Sequence, residues 1–99
     1  MKRTLLLLAA IPLLCLGVVV GAQEKPAGAD LIQRLGCMGC HSHKGKGGGR
    51  GPAWDGLGGR LRPEAIKQQL IAPRGRMPNY KHLRPEELEA LVTYLSALP

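Results

Sequence analysis

The chain has 99 residues, with fourteen Lys and Arg against seven Asp and Glu, a formal net charge of +7, one Trp, two Tyr and no Phe. That length holds one small domain, near the lower limit at which side chains alone stabilise a core. The cations are dispersed and not interleaved with aromatic rings, which argues against nucleic-acid binding and favours an acidic protein partner or anionic lipid headgroups.

Met1-Lys2-Arg3 precedes an apolar run from Leu5 to Ala22, and Val20-Gly21-Ala22 offers small residues at the positions a signal peptidase reads. Residues 1–22 therefore read as a secretory signal peptide, cleaved after Ala22, with 23–99 as the remaining domain. An uncleaved anchor is the second reading, because the run approaches the roughly 20 apolar residues that span a bilayer; Pro12 and the Gly17 to Gly21 segment weaken it as a helix. A lipid anchor on Cys15 is disfavoured by the large Leu14 before it. Cleavage removes Cys15 and leaves the Cys37/Cys40 pair, whose thiols an exported protein would consume in a disulfide or in another covalent bond.

Gln23 to Gly28 is a polar lead. From Ala29, the apolar positions Leu31, Ile32 and Leu35 trace a short amphipathic helix ending near Gly36-Cys37. Next stands Cys37-Met38-Gly39-Cys40-His41, the C-x-x-C-H pattern of covalent c-type haem attachment. Two thiols three positions apart on one turn can bond both vinyl groups of one porphyrin, and the following residue offers an imidazole to its iron. A porphyrin also buries a large flat apolar surface, which would supply the core that this aromatic-poor chain lacks.

Ser42 to Gly51 is a glycine-rich basic loop by composition. No Gly-Lys-Ser/Thr follows a strand, so a phosphate-cradling P-loop is disfavoured, and the glycines read as backbone passing close to the porphyrin edge. Gly56-Leu57-Gly58-Gly59 reads as a turn. Pro63 to Ile71 is a helix opened by Pro63 and Glu64, with Ile66 and Leu70 on one face, and Pro73 stops it. Arg74-Gly75-Arg76-Met77-Pro78 is a loop. Pro85 to Leu98 is the clearest helix, with Leu88, Leu91, Val92, Leu95 and Leu98 in one stripe and Glu86 and Glu87 in the first turn. Nothing alternates apolar with polar residues, so the expected fold is all helical with no sheet.

In this order the residues resemble a small bacterial class I cytochrome c. The likeness covers Gly28 to Leu98 and rests on Gly28 and Ile32 before the C-x-x-C-H motif, Gly51-Pro52 after it, Met77-Pro78, and Tyr94-Leu95 in the terminal helix. The resemblance implies an all-α fold of three to four short helices wrapped around one covalently bound haem c. Cys37 and Cys40 would anchor the cofactor, His41 would be the proximal iron ligand and Met77 the distal one. Imidazole suits both oxidation states of iron, whereas a thioether favours ferrous iron, so this pair raises the reduction potential. The resemblance also implies that the Pro52 carbonyl accepts a hydrogen bond from the other ring nitrogen of His41.

Met77 could instead be a core gap filler, but it lies in a Pro- and Gly-flanked loop and not on a helical stripe. Met38 sits between the anchoring cysteines and reads as a surface or rim residue. His43 is too close to the motif to cross a ring plane and reads as a solvated loop residue, while His82 could replace Met77 if that loop were slack. Arg60, Arg62 or the Trp54 indole could bond a propionate, and Asn79 and Tyr80 could donate to the Met77 sulfur. The chain departs from the family at Ile32, often Phe, and at Arg84, often a Ser or Thr helix cap.

The functional expectation is an electron-transfer haem protein, not an enzyme, that shuttles single electrons between redox proteins in the periplasm. Its partners would carry acidic docking surfaces, steered by Lys44, Lys46, Arg74, Arg76 and Lys81, and the chain would be a monomer, touching a membrane only if the leader is retained. The alternatives are a haem c subunit of a membrane or periplasmic oxidoreductase, and a haem-based ligand sensor in which Met77 detaches. A zinc site from Cys37, Cys40, His43 and His82 lacks the usual short second spacing, and a thioredoxin-type centre lacks a βαβ framework.

Overall fold

The computed structural model describes Gly17 and residues 27–99, so the expected leader, residues 1–22, lies outside the described residues apart from Gly17. Four helices follow in chain order: α1 (Gly28–Arg34), α2 (Leu57–Arg60), α3 (Pro63–Ile71) and α4 (Pro85–Ser96). A 3-10 turn, Cys37–Gly39, follows α1. Among the described residues no helix is long and apolar enough to cross a membrane.

α4 is the axis on which the domain is built, because α1, α2 and α3 all pack against it. Its stripe places Leu91 and Leu95 in the core with 0% and 4% exposure, opposite Leu31 and Ile32 of α1, Leu57 of α2, and Ile66 and Leu70 of α3. Pro85 occupies the first turn, where a missing N–H costs nothing, and Glu86 and Glu87 meet the positive end of the helix dipole. Arg84 stands where a Ser or Thr cap would accept a hydrogen bond, and a guanidinium has no acceptor. Glu87 supplies the other half of the cap: its Oε1 accepts from the Arg84 backbone N–H at 3.2 Å and from Nε at 3.1 Å. These bonds hold the Glu87 carboxyl below its ordinary range.

Two expectations need correction. The chain is not free of sheet: Ser42–His43 and Lys46–Gly47 form a two-stranded antiparallel hairpin, pairing Ser42 with Gly47 and His43 with Lys46. Its two turn residues, Lys44 at φ 51° and Gly45 at φ 77°, both take the positive φ that two-residue hairpins need. The Lys44 N–H is fixed by Asp55 Oδ1 at 3.0 Å. Strands two residues long carry no alternation to read. The expected turn at Gly56-Leu57-Gly58-Gly59 winds on into the one-turn helix α2, because burial of Leu57 against α4 outweighs the poor helix propensity of two glycines.

The α1–α4 crossing is close because Gly28 has no side chain. A Cβ there would collide with Tyr94 Cβ and lie 2.7 Å from the Ala90 carbonyl oxygen. Gly28→Ala should therefore cost about 1–3 kcal/mol by overpacking, more than the up to ~1 kcal/mol that alanine gains in helix propensity. Denaturant unfolding measures it, and unchanged or increased stability would show that the two helices separate freely.

Candidate functional site

The turn after α1 sets up one wall of the site. The Cys40 and His41 N–H groups both donate to the Cys37 carbonyl, at 3.3 and 3.1 Å, which folds the two thiols and the imidazole back toward one region. Cys37 is half-buried and Cys40 exposed, and neither is in a disulfide. Burial pushes the Cys37 thiol pKa up, against smaller opposing effects from its own backbone and from a hydrogen bond with Tyr80. The Tyr80 phenol is likewise raised, first by burial and then by Cys37.

His41 is held on two sides. Its Nδ1 lies 2.7 Å from the Pro52 carbonyl oxygen, which makes Nδ1 the protonated nitrogen and leaves the Nε2 lone pair free to bind a metal. The Trp54 ring stacks on the imidazole, centroids 4.9 Å apart at 23°. Gly51 passes directly beneath the ring, so that a Cβ there would sit 2.7 Å from His41 Cε1 and 2.9 Å from Nδ1. The Gly51 N–H donates to the Cys40 carbonyl at 2.8 Å, locking this strip of chain to the motif.

Cys37, Cys40, His41 and Met77 all line one cavity of about 980 Å³, whose walls include Ile32, Trp54, Leu70, Leu91 and Leu95. That volume is at the upper end of the roughly 300–1,000 Å³ typical of small-molecule and cofactor clefts. Met77 is half-buried, and its loop is tied to α3 through the Tyr80 N–H, which donates to the Leu70 carbonyl at 2.8 Å. The exposed side chains Arg50, Arg74 and Arg76 also border the cavity. An apolar pocket offering two thiols, a free imidazole nitrogen, a thioether and cations fits a porphyrin that bears carboxylates.

The other candidates are distributed differently from expectation. Arg60 and Arg62 do not border the cavity; Arg60 is spent on the Ala53 and Asp55 carbonyls at 2.9 and 3.2 Å, and Arg62 stands at the N-terminal boundary of α3 with its side chain making no capping bond. Trp54 is buried at the site. His43 is not a solvated loop residue, because the hairpin half-buries it and places Nε2 3.2 Å from the Pro99 carbonyl oxygen. His82 is exposed, with its ring centroid 6.3 Å from that of Tyr80, and it does not border the cavity. Met38 packs against the core and not at the rim. Among the described residues no three His, Cys, Asp or Glu side chains gather into a metal cluster.

The donor to the Met77 sulfur is neither Asn79, whose Oδ1 accepts from the Lys81 N–H at 3.4 Å, nor Tyr80. It is Gln69, with Nε2 3.7 Å from Sδ. Gln69 precedes Leu70 on the buried side of α3, and that helical spacing was the only sequence signal for it.

A Cβ at Gly51 must displace the imidazole, whereas one at Gly49 would meet nothing within 4 Å. Gly51→Ala should lower stability by about 1–3 kcal/mol and Gly49→Ala should leave it within about 0.5 kcal/mol of the parent. Equal effects in thermal melting would contradict the close approach to His41.

The family model described as "Cytochrome C oxidase, cbb3-type, subunit III" matches residues 23–95. No curated protein and no solved structure matches the chain significantly. The match covers the motif, the cavity and all but the last residue of α4. The chain belongs to this family of c-type cytochrome domains, which carry covalently bound haem c with its iron and serve haem-based electron transfer.

Proposed function

We propose that this protein is a one-electron carrier working outside the cytoplasm, with a class I cytochrome c arrangement of its helices about the cofactor. The observation that carries the reading is that His41 and Met77 border the same cavity as Cys37 and Cys40. The bound iron porphyrin supplies a couple that gains and loses one electron without moving atoms to a substrate. The protein does the rest. Cys37 and Cys40 would hold the ring through thioether bonds, and His41 would offer Nε2 to the iron in an orientation set by the Pro52 carbonyl and the Trp54 ring. Met77 would offer a neutral, soft sulfur that favours the ferrous state. With His41 and Met77 both given to the iron, no coordination site would remain for a substrate, and the chain would relay electrons and not act as an enzyme.

Apolar walls exclude water and hold the two oxidation states in nearly one environment. Arg50, Arg74 and Arg76 at the border suit the propionates, and with Lys44, Lys46 and Lys81 they form part of the positive surface that would steer an acidic redox partner. Residues 1–22 would export the chain to the periplasm as a monomer. The description of the matched family favours a second reading, in which the same chemistry belongs to a haem c subunit held in a membrane or periplasmic oxidoreductase.

Absorption spectra of the exported protein test the proposal. The ferrous protein should show a c-type spectrum that survives denaturation, and the ferric protein should show the far-red sulfur-to-iron band. Met77→Ala should abolish that band while the haem stays attached; persistence of the band would remove Met77 as the ligand. Intact mass would report cleavage after Ala22, and co-purification with a larger oxidoreductase would favour the second reading.

A further inference from the structure

Trp54 is the only tryptophan in the sequence, and the fold seats it on His41. It is buried and borders the cavity beside the aliphatic side chains of Ile32, Leu70, Leu91 and Leu95. Its N–H donates to the Ser42 carbonyl at 2.7 Å and its carbonyl accepts from the Leu57 N–H at 2.9 Å, so the backbone that carries the ring is fixed on both sides. The ring centroids of Trp54 and His41 lie 4.9 Å apart, with the planes 23° from parallel. That is the offset-stacked range for two aromatic rings, and it is inside the roughly 6 Å over which an indole face attracts a cation. An aliphatic side chain could fill space among such walls; only an aromatic one brings a π face to the imidazole.

We infer that Trp54 is a positioning residue for the iron couple: its indole face stabilises the positive charge that His41 takes up when the iron is ferric, and so lowers the reduction potential. The inference rests on the reading of His41 as the proximal ligand. An imidazole that gives its Nε2 lone pair to a metal loses electron density, and it loses more to ferric than to ferrous iron. The indole face is the most attractive to positive charge of the aromatic side chains, so it favours the oxidised state. Burial keeps water from screening the contact. The Pro52 carbonyl, 2.7 Å from Nδ1, places negative charge at the edge of the same ring and acts in the same direction. The Met77 sulfur would act in the opposite one, and Trp54 offsets part of its effect. A residue that merely filled space would give the reverse sign on removal: water entering the gap favours the more highly charged ferric centre and lowers the potential.

The test uses the haem-loaded protein with Trp54→Leu and Trp54→Phe. Potentiometry is the main readout, and thermal melting checks the fold. At a fixed solution potential, Trp54→Leu should raise the ratio of reduced to oxidised protein by about fivefold, the weak end of a buried cation–π contact because the imidazole holds only part of a charge. Trp54→Phe keeps a ring with a weaker face and should raise the ratio by a smaller factor; it decides the matter if the leucine variant fails to fold. A potential that is unchanged or lowered in the folded variants would overturn the inference and leave Trp54 a packing residue. The ligand reading is checked separately, by nuclear magnetic resonance of the parent protein in its ferrous state. The ring current of the porphyrin should move the His41 imidazole protons strongly upfield. Unshifted His41 protons would remove the ligand reading, and the role of Trp54 with it.

Discussion

The structure depends on filling a cavity that its own side chains leave open. α1, α3 and α4 bring Ile32, Leu70, Leu91 and Leu95 to a common space of about 980 Å³, and no Phe is available to occupy it. A domain of this size buries too little apolar surface to tolerate such a void in a stable, empty state. The porphyrin of a c-type cytochrome domain is therefore part of the core as well as the redox centre. Covalent attachment follows the same logic, because a small domain that loses its cofactor also loses its packing.

The polar groups around that cavity are arranged to hold an imidazole still. The Pro52 carbonyl fixes the tautomer, Trp54 stacks on the ring and Gly51 admits it at van der Waals range. Each constraint comes from the segment after the motif, which the Gly51–Cys40 and Trp54–Ser42 backbone bonds fasten back onto it. An imidazole with little freedom to move would keep the reorganisation that accompanies electron transfer small. On the Met77 loop, Gln69 bonds the Arg74 backbone and the Met77 sulfur.

Much of this was legible in the residues. Cys37, Cys40 and His41 carry a spacing that few other chemistries use, and α3 begins and ends where Pro63 and Pro73 imply. α4 follows from the stripe through Leu91 and Leu95, with its end two residues short of the expected one. What escaped has a common cause: it depends on long-range contact or on very short elements. The hairpin at Ser42–Gly47 is made by positive φ at Lys44 and by Asp55. The roles of His43 and Arg60 are set by carbonyls far along the chain or across a turn. Gln69 is unremarkable as a letter in a helix and acquires meaning only when the loop folds back over it.

The most direct measurement compares the circular dichroism and thermal melting of the haem-loaded protein with those of the same polypeptide made without haem. A core completed by porphyrin predicts that the haem-free chain loses much of its helix signal and melts without a cooperative transition. A haem-free chain with full helix content and the same sharp melting temperature would contradict the account.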